Sequence, residues 1–335
     1  MPELPDVEVY VACLAPRIVG QRIERIRLLR PFVLRSVTPP PGSANGRTVR
    51  SVERLGKRIV IGLSDDLFLV LHLMIAGRLR WRDRGTGIPR KLGLAAFDFS
   101  SGTLLLTEAG STSRAALHLV AGAAGLGAHD RGGLEVLVSD LDAFRAALLR
   151  ENHTLKRSLT DPRLFSGIGN AYSDEILHAA RLSPLKLTRR LTREEIARLY
   201  AAAGTTLRGW TDRLRRQTGE RFPERVTAFH PQMAVHGRYG KPCPTCGASV
   251  QRIVYASNES NYCAPCQTNG RLLADRAMSR LLKRDWPRTI EDWEAMKEER
   301  SVPFRGAEAA SGEVASGEAT SPAGAAAEER GRPVE

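Results

Sequence analysis

The stretch CPTCGASVQRIVYASNESNYCAPC, which spans Cys243–Cys266, contains two Cys-x-x-Cys pairs separated by sixteen residues. This spacing is typical of a tetrahedral four-sulfur site, a geometry that Zn²⁺ accepts readily. Four thiolates close the coordination shell and leave no position for an activated water, so the ion would be structural. We therefore predict one structural zinc ion with four ligands: Cys243, Cys246, Cys263 and Cys266.

A hairpin is predicted between the two cysteine pairs. Its strands are Val250–Tyr255 and Ser260–Tyr262, and its tip is Ala256–Glu259. The segment has little continuous apolar periodicity, so it needs the metal to fold. We assign residues 236–290 to a zinc-ribbon finger. This finger does not decide the function by itself, because such ribbons bind protein as readily as DNA.

Helices are predicted on the N-terminal side of the finger. Ser139 can cap a helix over Leu141–Leu149, and the capping box Thr192–Glu195 begins another. Between them, SGIGN at Ser166–Asn170 is a glycine-rich turn whose last residue can cap a third helix. Residues 136–235 are therefore predicted to form a helical domain around a helix, tight turn, helix unit.

Residues 1–135 consist mostly of short apolar or alternating runs separated by Gly, Ser, Asp and Pro, a pattern typical of β-strands. One helix, Pro5–Arg17, is predicted to open the chain. The pattern indicates a β-rich domain, either a sandwich or a barrel. The predicted strands are Gln21–Leu28, Arg58–Leu63, Leu67–Leu73, Ala95–Phe99 and Leu104–Thr107.

The charge of the chain favours a polyanionic partner. The 335 residues carry a formal net charge of +13, and residues 306–335 contain six acidic and two basic side chains, so residues 1–305 hold +17. Lysines and arginines that neutralise phosphates release counterions, which favours binding to nucleic acid. The alternative is a solvated, arginine-rich surface. The tail, residues 305–335, is too poor in apolar bulk to fold and is predicted to be disordered.

No apolar run reaches the roughly 18 residues of a membrane helix, so no membrane association is expected. The N-terminus lacks the charge pattern of a secretory signal. Of the five cysteines, four form the spaced set and only Cys13 is left over, which favours a reducing compartment. These features predict a cytoplasmic protein.

The first residues offer a nucleophile. Removal of Met1 would expose the secondary amine of Pro2, and an α-amino group with a pKa of about 8 is partly neutral at pH 7. Such an amine can attack the C1′ of a sugar and form a Schiff base, while Glu3 supplies a carboxyl group for proton transfer. Many proteins begin with these residues by chance, so Pro2 and Glu3 need support from the rest of the chain.

That support comes from the order of three motifs: MPELPDVE (Met1–Glu8), SGIGNAYSDEIL (Ser166–Leu177) and the finger ending in Cys266-Gln267. The chain resembles the formamidopyrimidine-DNA glycosylase family (Fpg/Nei) over residues 1–77 and 150–288. The resemblance implies a multidomain α+β fold. Its parts are an N-terminal catalytic β-sandwich, a helix–two-turn–helix DNA-binding domain and a C-terminal zinc finger, with DNA between them.

The resemblance also implies roles for particular residues. The nucleophile of the family falls on Pro2 and its carboxyl partner on Glu3. The lysine that assists the lyase steps and contacts phosphate falls on Lys57 in RLGKRIVI. The positions that contact the DNA backbone fall on His72, Lys156, Gly169 and Asn170. The lesion would be flipped out of the stack and displaced at C1′, and elimination would nick the strand on the 3′ side. No redox or nucleotide cofactor is required.

The sequence departs from the family on the side that reads DNA. Ile75 stands where the family has the methionine that fills the gap left by the extruded base, and Ile can still act as an apolar wedge. The loop that supplies an arginine and a phenylalanine to the orphaned base is absent, and Arg114 is the only charged candidate to replace it. Asn258 replaces the arginine of the finger, so a weaker phosphate contact and a lyase that stops mainly after β elimination are expected.

The preferred lesion, the opposite base and the use of duplex or single-stranded DNA stay open, although PELPD resembles the purine-acting branch. The expected partner is damaged DNA, bound by a monomer in the nucleoid. Two other readings compete. One is a non-enzymatic zinc-finger protein that binds damaged DNA, for which Pro2 and Glu3 would be dispensable. The other is a ribosomal or RNA-associated zinc-ribbon protein, which explains the charge but not the N-terminus.

Overall fold

The chain opens with a helix, α1 (Leu4–Ile18), in a computed structural model that describes residues 1–110, 113–224, 230–255, 258–274, 282 and 286–301. Pro5 lies in the first turn, where no backbone donor is lost. The carboxylate of Asp6 accepts a hydrogen bond from the backbone N–H of Glu3 at 2.8 Å, which fixes the start of the helix. The predicted opening helix is thus present.

Eight strands follow and form two four-stranded antiparallel sheets, with strand orders β1-β6-β7-β5 and β2-β3-β4-β8. Apolar side chains from both sheets and from α1 pack into one core, which confirms the sandwich rather than the barrel. The strands are β1 (Arg25–Leu28), β2 (Val49–Leu55), β3 (Arg58–Leu63), β4 (Leu67–His72), β5 (Gly77–Arg82), β6 (Gly93–Phe99), β7 (Gly102–Glu108) and β8 (Ala116–Ala121).

A helical region forms a second core. The carboxylate of Asp140, not Ser139, caps its first helix by accepting the N–H of Ala143 at 2.8 Å, and the Thr192–Glu195 capping box is confirmed. Leu4 of α1 packs into this core and connects it to the sandwich. A short helix, α2 (Gly122–Gly127), packs against β4 and β8 of the sandwich. The helices of the helical region are α3 (Leu141–Leu149), α4 (Leu155–Thr160), α5 (Asn170–Ala179) and α6 (Arg193–Thr218).

The finger contains the predicted hairpin, β9 (Gln251–Tyr255) and β10 (Asn258–Tyr262), followed by α7 (Ala264–Thr268). The second strand begins two residues earlier than expected. A last helix, α8, spans Ile290–Ser301. The multidomain α+β fold with an N-terminal sandwich, a helical domain and a C-terminal finger is confirmed.

Residues 1–294 make up one compact unit. The domain boundaries at 135, 235 and 290 stay predictions, and the tail expected to be disordered lies outside the described residues. Among the described helices, none has the length and apolar character that a bilayer crossing requires.

Candidate active site

The side chain of Glu3 lies at the N-terminus of α5. Its carboxylate accepts hydrogen bonds from the backbone N–H groups of Gly169 at 2.7 Å, Ala171 at 2.9 Å and Tyr172 at 3.2 Å. The N–H of Leu4 adds a bond to the carbonyl of Gly167 at 2.9 Å. The positive end of a helix dipole stabilises an anion in this position. The first residues of the chain are therefore fixed on the SGIGN turn.

The side chains of Glu3 and Lys57 approach each other at Gly169. A Cβ built on Gly169 would lie 2.5 Å from Oε1 of Glu3 and 2.7 Å from Nζ of Lys57, so only glycine leaves room for both. Burial lowers the pKa of Lys57, and the nearby carboxylate of Glu3 opposes this effect. A lysine whose pKa is lowered gives up its proton more easily near neutral pH, and its neutral amine can then act as a base.

The nucleophile candidate lies beside this pair. Pro2 is buried, and burial lowers the pKa of the amine of Met1, against the opposing charges of Glu3 and Asp6. Burial also raises the pKa of Asp6 to about 7. The structure thus brings together the three predicted catalytic residues, because Pro2 and Glu3 are consecutive and Lys57 approaches Glu3 across Gly169.

His72 and Ile75 occupy the end of β4 and the turn that follows. His72 lines a cavity of about 340 Å³ with Met1 and Lys57, and burial together with nearby Arg58 and Lys57 lowers its pKa to about 4. Ile75 is 59 % exposed. The turn needs a glycine at Gly77, where a Cβ would lie 2.2 Å from the carbonyl oxygen of Leu73. Ile75 is therefore presented to solvent three residues beyond His72, as an apolar wedge would be.

Arg114 lies on the connection between β7 and β8. Its backbone N–H donates to both carboxylate oxygens of the buried Glu108 at 2.9 Å, while its side chain is exposed. Residues 111–112 of this connection lie outside the described part. The anchored backbone leaves the guanidinium available to a ligand.

Asn170 and Lys156 are tied to their surroundings. Gly169, not Asn170, is the N-cap of α5, and Nδ2 of Asn170 donates to the carbonyl of Glu259 in β10 at 2.8 Å. Nζ of Lys156 donates to the carbonyl of Asn170 at 2.6 Å and forms an ion pair with Asp174 at 2.5 Å. Asn258 begins β10, and its side chain lies outside the described residues.

The four predicted zinc ligands converge. The Sγ atoms of Cys243, Cys246, Cys263 and Cys266 all lie within 4.8 Å of one another. Four convergent thiols fit a tetrahedral Zn²⁺ ion with a closed coordination shell, which agrees with a structural role. No other group of this kind occurs among the described residues.

Sequence reasoning missed the buried polar residues of α5. Asp174 accepts hydrogen bonds from Lys156 and from Oγ of Ser260 at 3.0 Å, and it pairs with Nδ1 of His236 at 2.8 Å. Glu175 accepts the N–H groups of residues 234–236. The only sequence signal is a pair of adjacent carboxylates, Asp174 and Glu175, directly before the apolar residues Ile176 and Leu177. These bonds join the helical region to the finger.

His178, at the other end of α5, contacts the zinc site. It is 7 % exposed, and its Nε2 lies 3.3 Å from Sγ of Cys243. A ring N–H that donates to a ligand sulfur stabilises the thiolate and orients it for the metal. One helix therefore holds Glu3 at its first turn and a zinc ligand at its last.

Replacing His178 with phenylalanine should weaken zinc retention, because the ring is kept but the N–H donor is lost. We expect zinc release to a colorimetric chelator to become about 10-fold faster, the lower end of the effect of such partners. His153→Phe is the matched control, since that imidazole pairs with Glu151. Equal release rates for wild type and His178→Phe would contradict the assigned contact.

Comparison with known proteins agrees with this arrangement. Three family models match the chain: the formamidopyrimidine-DNA glycosylase N-terminal domain over residues 1–110, its H2TH domain over residues 133–212, and the zinc finger found in FPG and IleRS over residues 240–269. The formamidopyrimidine-DNA glycosylase of Pelotomaculum thermopropionicum is 31 % identical over 283 residues, which cover 80 % of this chain and 99 % of the relative.

Solved structures extend the similarity to the fold. The complex of Lactococcus lactis Fpg with DNA containing an abasic site matches with a TM-score of 0.70 and 26 % identity, covering 79 % of this chain and 99 % of the other. The complex of the wild-type L. lactis protein with DNA containing an oxidised pyrimidine matches with the same TM-score and identity, covering 80 % and 100 %. The chain belongs to the formamidopyrimidine-DNA glycosylase family.

Proposed function

We propose that the protein is a base-excision repair DNA glycosylase with AP-lyase activity and that the amine of Pro2 is its nucleophile. One observation carries the proposal. The carboxylate next to Pro2 is held by three amides at the N-terminus of α5, those of Gly169, Ala171 and Tyr172, with Lys57 beside Gly169. An amine, a carboxylate and a lysine are thus fixed at one point, which is the set of groups that Schiff-base chemistry requires.

The first half of the reaction removes the base. With Met1 removed and the damaged nucleotide flipped out, the amine of Pro2 attacks C1′. The bond from C1′ to the base breaks, its electron pair leaves with the base, and the base takes up a proton. The carboxylate of Glu3 takes the proton that the Pro2 nitrogen loses after attack and passes it to the ring oxygen as the sugar opens, which leaves an iminium ion between Pro2 and C1′. No redox or nucleotide cofactor enters these steps.

The second half cuts the strand. The iminium ion makes the C2′ proton acidic, and loss of that proton pushes the 3′ phosphate out as the leaving group. Lys57 is assigned to proton transfer in this phase, since burial lowers its pKa. Water finally hydrolyses the iminium ion and regenerates the amine. The strand is therefore nicked on the 3′ side of the lesion.

The DNA would lie across the faces that carry the remaining predicted residues. His72, Gly169 and Asn170 are assigned to backbone phosphates, as amides at a helix N-terminus bind phosphate without reading sequence. Lys156 uses two of its three donors inside the protein and has one left for phosphate.

Ile75 would fill the gap left by the flipped base, and Arg114 would face the orphaned base. The partner is damaged DNA, bound by a monomer in the cytoplasmic nucleoid.

The chemical form of the 3′ end that the lyase leaves is a prediction. With Asn258 in place of an arginine of the finger, the cut strand should end mainly in the unsaturated aldehyde of β elimination. A 3′ phosphate as the main product end would contradict it.

Borohydride trapping of the wild-type protein tests the proposal. Duplex oligonucleotides carrying an abasic site, 8-oxoguanine or an oxidised pyrimidine are incubated with protein lacking Met1, and the imine is reduced to a stable adduct. A covalent adduct on at least one duplex is expected. Tight binding without any adduct would instead support the non-enzymatic protein that binds damaged DNA.

A further inference from the structure

Basic and histidine side chains collect on the outer face of the sheet β2-β3-β4-β8. Arg58 of β3 lies opposite His72 of β4, and His118 of β8 lies opposite Val70, two residues before His72. Cross-strand partners share a face and residues two apart in a strand share a face, so all three side chains point the same way. The ring of His129, which follows α2, lies 4.5 Å from that of His118.

This face borders the site cavity of about 340 Å³. Lys57 and His72 line the cavity next to Met1, and Arg58, His129 and Arg131 continue its wall. The opposite wall comes from the helical region, at Thr160, Pro162, Ser166 and Gly167. The cluster Arg58, His118, His129 and Arg131 is therefore an extension of the cleft beyond Lys57 and His72, and we name it the basic extension.

Among the described residues, the two arginines of the basic extension have no acidic partner in direct contact. In the described part of the chain, neither Arg58 nor Arg131 forms an ion pair or a side-chain hydrogen bond, and the only acidic residue lining the cavity is Asp130. One carboxylate oxygen of Asp130 already accepts the N–H of Gly132 at 2.8 Å. Guanidinium groups left unpaired at a cavity wall are preorganised for an anion, because they need no rearrangement to bind it.

The electrostatic effects within the cluster point the same way. Burial, and then the charge of Arg131, lowers the pKa of Arg58, against the weaker opposing charge of Asp130. Burial lowers the pKa of His118 and of His129, and the neighbouring arginines add to the effect. Like charges held together destabilise one another until an anion enters between them.

We propose that Arg58, His118, His129 and Arg131 form a second phosphate-binding position, next to the one assigned to Lys57 and His72. Its ligand is a phosphate group of the bound strand, either a diester within the strand or the 5′-terminal monoester that strand cleavage leaves. That the phosphate belongs to a DNA strand rests on the proposed function. That the cluster binds phosphate rests on the cluster itself. Binding at this position keeps the strand on the protein both before and after cleavage.

Salt dependence of DNA affinity tests this position. Fluorescence anisotropy is measured for wild type, Arg131→Ala and His129→Gln on a duplex with a stable abasic analogue. Each variant should bind about 5-fold more weakly at low salt, and Arg131→Ala should lower the slope of log K against log salt by about one, the loss of one phosphate contact. Arg145→Ala, an exposed arginine of α3, is the matched control and should keep the slope.

A second readout is pH. The charged groups that face the histidine pair are Arg58 of β3, His72 of β4, Arg35 of the segment between β1 and β2, and Asp130 and Arg131 after α2. Both imidazoles have a pKa below the ordinary histidine value of about 6.5 in the free protein, and phosphate favours their protonated forms, so affinity should rise as pH falls below about 6.5. The double variant His118→Gln/His129→Gln should lose most of this rise.

Nicked duplexes separate the two sources of phosphate. If the loss in Arg131→Ala is greater with a 5′-phosphate at the nick than with a 5′-hydroxyl, the ligand is the terminal monoester. Equal losses assign it to an internal diester. Variants that match Arg145→Ala in slope and pH response on every duplex would overturn the second position, even where wild type still traps an abasic site. If wild type traps nothing but the slopes differ as expected, the proposed function fails and the phosphate position stands.

Discussion

Replacing Pro2 with glutamate should abolish the borohydride-trapped adduct on every duplex that wild type attacks. The bulky second residue keeps Met1 in place, and the only secondary amine at the site is lost. Pro2→Gly leaves a primary amine whose position is less restricted, so its adduct rate should fall by at least about 100-fold. DNA affinity should change little in both variants, because phosphate binding is assigned to other residues.

Two controls make this result specific. Pro89→Gly removes a proline from an exposed loop and should trap DNA at the wild-type rate. Mass spectrometry of each variant reports whether Met1 is present, so a retained methionine is not mistaken for a lost nucleophile. Wild-type adduct yield from Pro2→Glu would exclude the amine of Pro2 and transfer the nucleophile to a lysine, with Lys57 the first to test.

The zinc site and the start of the chain were predictable because their signals are local. Two pairs of cysteines at ribbon spacing place four sulfurs together wherever the finger packs, and the structure brings them within 4.8 Å. The Thr192–Glu195 capping box is likewise set by residues three apart. The choice between Ser139 and Asp140 as a cap, and between Asn170 and Gly169, depends on backbone geometry that adjacent polar residues do not reveal.

Strands whose exposed faces are basic were not predicted. β5 has the sequence GRLRWR, in which arginines alternate with residues that pack on the sheet, and β2 carries charges at three of its seven positions. β5 is held as a strand by its pairing with β7, and β2 by its pairing with β3, although neither sequence alone indicates a strand. Tertiary pairing overrides weak β-propensity in such cases.

The links between elements were also outside the reach of sequence reasoning. Glu3 meets the amide of Gly169 across 166 residues, and Asp174 collects partners from α4, from β10 and from the segment before the finger. The basic extension draws on two strands and the segment after α2, and only the strand register shows that Arg58 and His118 share a face. Motifs predict which residues take part in the site, whereas contacts between distant segments are seen only in the folded chain.

Gly169→Ala should lower the rate of adduct formation by at least about 100-fold, because it displaces two catalytic groups at once. The added Cβ would lie 2.5 Å from Cδ of Glu3 and 2.7 Å from Nζ of Lys57. The carboxylate is only able to move by breaking hydrogen bonds to the amides that hold it, and Glu3 is 2 % exposed. A shift of about 1 Å in a catalytic group costs roughly 100-fold in rate.

Gly169→Ala should also lower the free energy of unfolding, but by too little to unfold the protein. Overpacking of this size costs about 1–3 kcal/mol, so the protein should stay folded at 25 °C and keep its zinc. Gly209→Ala in α6 is the matched control, since its Cβ meets nothing within 4 Å and alanine favours a helix by about 1 kcal/mol. Single-turnover trapping on an abasic duplex, with thermal unfolding measured in parallel, separates the two effects. A wild-type trapping rate in Gly169→Ala would show that Glu3 and Lys57 do not act from the positions beside this glycine.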